Sequence, residues 1–383
     1  KLALGSIVFV LLTVFIFLYQ FSRIEHGERT FTWSGLRFEY LWLMLLCLPF
    51  DTLASGLRIW LVCHVLQPGT GFWTCLKAEW ANSGIAMLTP SQTGGGFGQI
   101  YMLHRGGLSV STATTISLIT FLATIVTLLV VGLYSALVSG TSLGSLFSLA
   151  IWPLTIVVGL MTLALLWPGL FRVAVFQSLK AYGGILDLVR RPRSQPDRLE
   201  GTATKLIDLV YAYHNGTWRF VRKGKAHFIG VCILSLVFIL SRCLMAFLCL
   251  RFLGIGNSTL GEVLQIQMAL LFLLYFAPTP GSSGLAELFS LSAMAAIVPA
   301  GLGPYYNLLW RASTLYLPAG LGLLFLSLTL LRDTRSILRR HNLPRSDREQ
   351  LVLSLEAQAQ SSPRPVPPAS FEKSTLEGHN ELR

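Results

Sequence analysis

From Gly106 to Phe171 the chain contains no Asp, Glu, Lys, Arg or His. A water-soluble fold would have to expose part of any stretch that long. In a bilayer it is long enough for two crossings, each needing about 20 residues. The rest of the chain is similar in kind. Hydrophobic residues make up 53% and charged residues 13%, with a mean hydropathy of +0.61. A soluble domain carries roughly 25% charged residues. The composition therefore defines an integral membrane protein. In lipid every backbone polar group must be satisfied internally, which favours an all-α polytopic fold.

Apolar length and helix breakers predict about six transmembrane helices, near residues 2–20, 38–66, 109–138, 146–171, 226–253 and 304–331. The first ends without a small-residue cleavage site, so it reads as a retained helix and not a signal peptide. Two broken apolar hairpins lie at about 72–106 and 258–299. A basic amphipathic region fills 172–225, within a transmembrane domain spanning 1–331. The remainder, 332–383, is polar. Its Pro-rich stretch from Ser361 to Pro368 reads as disordered, because it offers nothing to bury.

The net charge is +12, but its distribution argues against nucleic acid. Eleven of the 30 Lys and Arg fall between Arg172 and Lys225, and six more between Arg332 and Arg348. Basic residues beside apolar spans mark the cytoplasmic side of an inner (cytoplasmic) membrane. Their natural partners are anionic lipid headgroups. Both termini are then expected in the cytoplasm, with the uncharged loop 140–145 outside. Counting crossings from there, the two hairpins dip into the membrane from opposite faces as re-entrant elements. That is an inverted repeat.

Each hairpin carries the same short motif. Thr89-Pro90-Ser91-Gln92-Thr93-Gly94 and Thr279-Pro280-Gly281-Ser282-Ser283-Gly284 both read Thr-Pro-x-x-(Ser/Thr)-Gly. Broken backbone at membrane depth is tolerated where it is buried in protein or lines a cavity. Paired breaks in two halves of a membrane chain point to a transport site. The glycine-rich turn Thr93-Gly94-Gly95-Gly96-Phe97-Gly98-Gln99 precedes a short helix running to about Arg105, and a second begins near Leu285 and runs to about Ile297. Free N–H groups at such helix starts suit a phosphate or carboxylate. The plainer alternative is that Gly and Pro only end helices or allow close packing.

Ionisable residues at membrane depth are the next signal, since each costs at least about 2.5–3.5 kcal/mol there. They are Asp51, Arg58, Glu79, Arg105, Arg242, Glu287 and Arg311. Arg58, Arg105 and Arg311 are candidates to hold a phosphate, and Glu287 to hold an amine or carry a proton. The alternative for these charges is snorkelling or ion pairing. The candidate pathway comprises Arg58, Glu79, Asn82, Thr89, Pro90, Thr93, Gly94, Gly95, Gly96, Gln99, Arg105, Pro278, Pro280, Gly281, Ser282, Ser283, Gly284, Glu287 and Arg311. Gln99 and Glu287 sit at comparable places after the shared glycine, so the halves differ in charge.

No catalytic motif is present: there is no Gly-x-Ser-x-Gly, no His-Glu-x-x-His and no Walker lysine. The six cysteines form no Cys-x-x-Cys pair, and neither a metal nor a cofactor site is read from the sequence.

Leu88 to Gly96 with Tyr101 to Gly107, then Pro278 to Glu287 with Leu309-Trp310-Arg311, resemble the flippase-like family. This is the membrane region of lysylphosphatidylglycerol synthases and their stand-alone relatives. The resemblance covers about residues 30–335. It implies translocation of a lipid across the bilayer, either an anionic or aminoacylated phospholipid or a polyprenyl-type lipid. In the synthases a separate soluble domain makes the lipid. The polar residues after Arg332 do not read as such a domain, so a lipid synthase is an expected partner and enzyme activity is not expected. Three rival readings remain: a small-solute or ion secondary transporter, a membrane enzyme of lipid or envelope synthesis, and a scaffold that recruits a synthase.

Overall fold

The computed structural model describes residues 2–22, 32–139, 196–275 and 277–341, with isolated positions between 156 and 177. The expected helix at 146–171, the loop at 140–145 and the tail beyond 341 therefore lie outside the described residues. What is described is all-helical. In chain order the α-helices are α1 (Leu2–Ser22), α2 (Phe38–Leu66), α3 (Phe72–Met87), α4 (Gly95–Arg105), α5 (Val110–Ser139), α6 (Pro196–Lys223), α7 (Lys225–Phe252), α8 (Leu260–Tyr275), α9 (Leu285–Met294), α10 (Gly303–Arg311) and α11 (Leu317–His341).

Among the described residues, four segments are long and apolar enough to cross a membrane: Phe38–Leu66, Val110–Tyr134, Lys225–Phe252 and Ala300–Arg335. They match four of the six expected helices. At 1.5 Å per residue, the 29 residues of α2 reach well beyond a hydrocarbon core of about 30 Å. The hairpin helices α3, α4, α8 and α9 are shorter, at 16, 11, 16 and 10 residues. Each pair is broken where its Thr-Pro motif falls.

The packing repeats. α3 packs on α2 and α4, and α4 continues onto α5; likewise α8 packs on α7 and α9, and α9 on α10. The two halves join most extensively through α2 against α7. One apolar core gathers Ile59, Cys75, Leu103, Ile116 and Val231 from α2 to α5 and α7. A second gathers Met245, Leu270, Ala286 and Trp310 from α7 to α10. Small residues permit close crossings where no hydrophobic force separates helices from lipid. A side chain on Gly84 of α3 would come 2.8 Å from the backbone nitrogen of Leu323 on α11.

Two breaks have local causes. Between α10 and α11 the helix widens into a π-turn over Ala312–Tyr316. Pro318 lies just beyond. It has no N–H to give the carbonyl four residues back, and its ring crowds that carbonyl. The amphipathic α6 ends at Gly224, where the backbone leaves helical geometry before α7. Phe220 and Tyr213 of α6 are buried, and α6 lies against α5, where Thr115 Oγ1 donates to the Ala212 carbonyl at 3.3 Å.

By contact density the chain divides after Leu326. The described part of the second unit is the end of α11, from Ser327 to His341.

Candidate functional site

Each hairpin turn is closed by its own residues. In the first, Thr89 Oγ1 accepts a hydrogen bond from Gly94 N at 2.9 Å and donates to the Ile85 carbonyl at 3.2 Å. Ser91 and Gln92 take left-handed backbone angles, φ 50 and 57. Gly94 does not, with φ −74. It is small for another reason: a side chain there would strike Thr89, and one on Gly95 would strike Asn82. In the second turn Gly281, Ser282 and Gly284 have φ 56, 58 and 89. Such conformations cost roughly 1–3 kcal/mol for side-chain-bearing residues and persist only where the surroundings hold them.

The two turns touch. An isolated antiparallel bridge pairs Pro90 with Pro280, the same position of the two motifs. Ser91 donates from both its backbone nitrogen and its hydroxyl to the Ala277 carbonyl, at 3.1 and 3.2 Å. The two turns thus meet at equivalent residues, in antiparallel sense.

A charged clamp holds the second turn. Glu287 Oε2 accepts from Gly284 N at 2.6 Å, and Glu287 Oε1 accepts from Arg311 Nε at 2.8 Å. Arg311 Nη2 donates to the Gly281 carbonyl at 2.6 Å, and Asn307 Nδ2 to the Glu287 carbonyl at 2.9 Å. The side chains of Arg311 and Glu287 are 6% and 0% exposed. Helix α1 lies across this turn: Thr13 Oγ1 is 3.1 Å from Ser283 Oγ, and Phe9 joins the apolar cluster with Met87 and Ala319. In the first half, the neutral Gln99 meets hydroxyls of α5. It accepts from Ser117 at 3.2 Å and donates to Thr120 at 3.4 Å.

A cavity of about 880 Å³ lies against both turns. Ser91, Gln92 and Thr93 line it from the first turn and Ser282 from the second. Its polar wall includes Asn82, Ser83, Gln99, Ser117, Thr120 and Thr124, and its charged residues are Arg58, Glu79, Arg242 and Arg311. Most of the rest is apolar, with Phe97, Phe121, Phe238 and Leu271 among it. Arg58 Nη1 donates to Thr124 at 2.7 Å and Ser235 at 3.4 Å. The guanidinium groups of Arg58 and Arg242 sit 5.1 and 4.3 Å from the Phe238 ring centre. Arg242 faces Asp51 at 3.8 Å, and Asp51 also accepts from Ser241 at 2.7 Å. Glu79 accepts from Ser83 at 3.4 Å.

The candidates from the sequence thus separate by place. Arg58, Glu79, Asn82, Thr93, Gly96, Gln99, Ser282 and Arg311 line the cavity. Thr89, Pro90, Gly94, Gly95, Pro280, Gly281, Ser283 and Gly284 build the turns. Pro278 is exposed beside the second turn. Arg105 is exposed at the end of α4, outside the cavity lining. Glu287 also lies outside that lining, with both oxygens taken by Gly284 and Arg311. The expectation of free N–H groups at the short-helix starts meets a competing partner at each: Thr89 takes Gly94 N, and Glu287 takes Gly284 N.

Sequence reasoning passed over the hydroxyl stripe of α5 and the ring of Phe238. The stripe had a readable signal, since Ser117, Thr120 and Thr124 recur at helical spacing in a helix without charged residues. Phe238 had none; its place between two arginines is a tertiary fact.

Membrane-length helices around a charged cavity, with two broken hairpins meeting tip to tip, define a multi-pass membrane protein. The chain belongs to the family of the lysylphosphatidylglycerol synthase TM region, which matches residues 2–322. That membership sets it among membrane proteins related to lipid synthesis. No curated protein and no solved structure matches the chain.

Proposed function

We propose that this protein translocates a lipid with a phosphate-bearing headgroup across the bilayer, the headgroup passing through the cavity while the tails stay in lipid. One observation carries the reading: the tips of two broken hairpins meet beside a cavity with an apolar wall and a buried arginine. Its volume falls in the range of about 300–1,000 Å³ typical of pockets for small ligands. That range suits a headgroup and not a whole lipid. Family membership supports a lipid over a free solute. In this reading the hairpins are re-entrant, enter from opposite faces and are related as an inverted repeat. The antiparallel contact of equivalent residues at their tips supports that arrangement. In this reading both termini lie in the cytoplasm of a cell inner membrane, which the basic regions support, and a lipid synthase supplies the substrate. The protein does no covalent chemistry of its own.

The test is reconstitution. Vesicles containing the purified chain and a tail-labelled fluorescent phospholipid are treated with a membrane-impermeant quencher. The expected result is loss of inner-leaflet fluorescence at a rate that scales with protein copies per vesicle. A rate equal to that of protein-free vesicles, for every phospholipid tried, would overturn the proposal.

A further inference from the structure

Among the described residues, three charged groups have a buried side-chain atom without a hydrogen-bond partner: Arg58 Nε, Glu79 Oε2 and Arg242 Nε. All three residues line the cavity beside the turns. They come from α2, α3 and α7, which are remote in sequence. Arg242 has an opposite charge beside it, Asp51 at 3.8 Å. Neither Arg58 nor Glu79 has one within 4.0 Å among the described residues, although each lies in the other's field. Arg58 is 6% and Glu79 5% exposed. Unmatched charge is expensive at membrane depth.

We propose that the cavity is built for a net-neutral headgroup, with one phosphate and one ammonium bearing N–H. This deepens the translocation reading above and rests on it. Arg58 takes the phosphate, and Arg242 lends further N–H donors. Phe238 keeps the two guanidiniums together, with a ring each can lie against. Arg242 adds donors without adding net charge, because Asp51 already answers it. Glu79 takes the ammonium through Oε2. The count is then one positive and one negative charge without a direct ion-pair partner among the described residues. A purely anionic headgroup leaves Glu79 unanswered beside a like charge. A headgroup with two ammoniums brings a positive charge that nothing in the cavity neutralises. Glu287 is no rival for the ammonium, because its oxygens already hold the second turn.

The test uses the full chain in phosphatidylcholine vesicles; that carrier's quaternary ammonium has no N–H to give Glu79. The probes are tail-labelled phosphatidylethanolamine, phosphatidylglycerol and lysyl-phosphatidylglycerol. The parent is expected to move the ethanolamine lipid at least about tenfold faster than the other two, the effect of one charge-assisted hydrogen bond. Glu79→Gln, which keeps the volume, is expected to bring the ethanolamine-to-glycerol ratio to about one. Arg58→Gln should slow both lipids and keep the preference. A parent that moves lipid with no preference, or a Glu79→Gln protein with the parent's ratio, overturns the charge assignment and leaves translocation standing. A parent that moves no lipid overturns translocation. The assignment is then decided by binding of short-chain versions of the same lipids in detergent, with the same ratios expected. Passage of entrapped glycerophosphoethanolamine in preference to the lipid would overturn the lipid source and keep the charge complement.

Discussion

Replacing Arg311 by Met tests whether the second turn is held by charge. The substitution keeps much of the side-chain length and removes the donors to Glu287 Oε1 and to the Gly281 carbonyl, now 2.8 and 2.6 Å away. The carboxylate of Glu287, 0% exposed, would then keep the backbone N–H of Gly284 as its remaining donor among the described residues. Breaking one side of a buried pair costs about 3–5 kcal/mol, because a charge is left uncompensated. At about 2–4 °C per kcal/mol for a chain of 150–250 residues, and less for a longer one, the melting temperature should fall by about 5–10 °C. The double change Arg311→Met with Glu287→Gln should recover most of that loss. It removes both charges, and the Gln carbonyl still accepts from Gly284 N. Thermal unfolding in detergent, followed by tryptophan fluorescence, reads both variants; Trp310 is adjacent and only 2% exposed. If Arg311→Met melts within about 1 °C of the parent, or the double variant loses the sum of the two singles, the pair does not hold the turn.

Three further outcomes are expected. Gly281→Val should abolish lipid movement and lower the yield of folded protein, since φ is +56 and the new Cβ would come 2.8 Å from Phe9 and 3.1 Å from the Met87 carbonyl; full activity in vesicles would show that the turn is unconstrained. The pair Pro90→Cys and Pro280→Cys should form a disulfide on mild oxidation, because bridge partners in an antiparallel pair lie about 4.5–5.5 Å apart at Cα; an intact double variant that never cross-links, judged by mass spectrometry, would separate the tips. In oriented cells, Ser194→Cys and Ser346→Cys should label only from the cytoplasm and Ser142→Cys only from outside, as the loop charges require; labels at Ser194→Cys and Ser346→Cys reacting from opposite sides would end the inverted-repeat arrangement.

Much of the architecture was legible in the chain. Helix length in lipid follows from apolar length, so α2, α5, α7 and the helix through α10 and α11 could be drawn from hydropathy alone. The two turns could be found because the backbone itself demands Pro, Gly and small polar residues there, and that demand is local. The twin motif singled out two turns, and the Pro90–Pro280 bridge brings those turns into contact.

The roles of the charges were not legible, because they depend on what arrives from elsewhere in the chain. Glu287 and Arg105 both looked like site residues by depth and position. The fold brings Arg311 and Gly284 N to Glu287, which makes it a brace, and leaves Arg105 on an exposed helix end. Arg58, Glu79 and Arg242 share a cavity only because α2 packs against both α3 and α7. Sequence alone determined that this is a helical membrane protein with two matched breaks. These features come from local backbone chemistry and from total apolar length. Only the tertiary structure decided which buried charges meet a direct partner and which do not. A charge's partner is set by distance in space, and these partners lie from 24 to 191 residues apart along the chain, as Glu287 to Arg311 and Asp51 to Arg242 show.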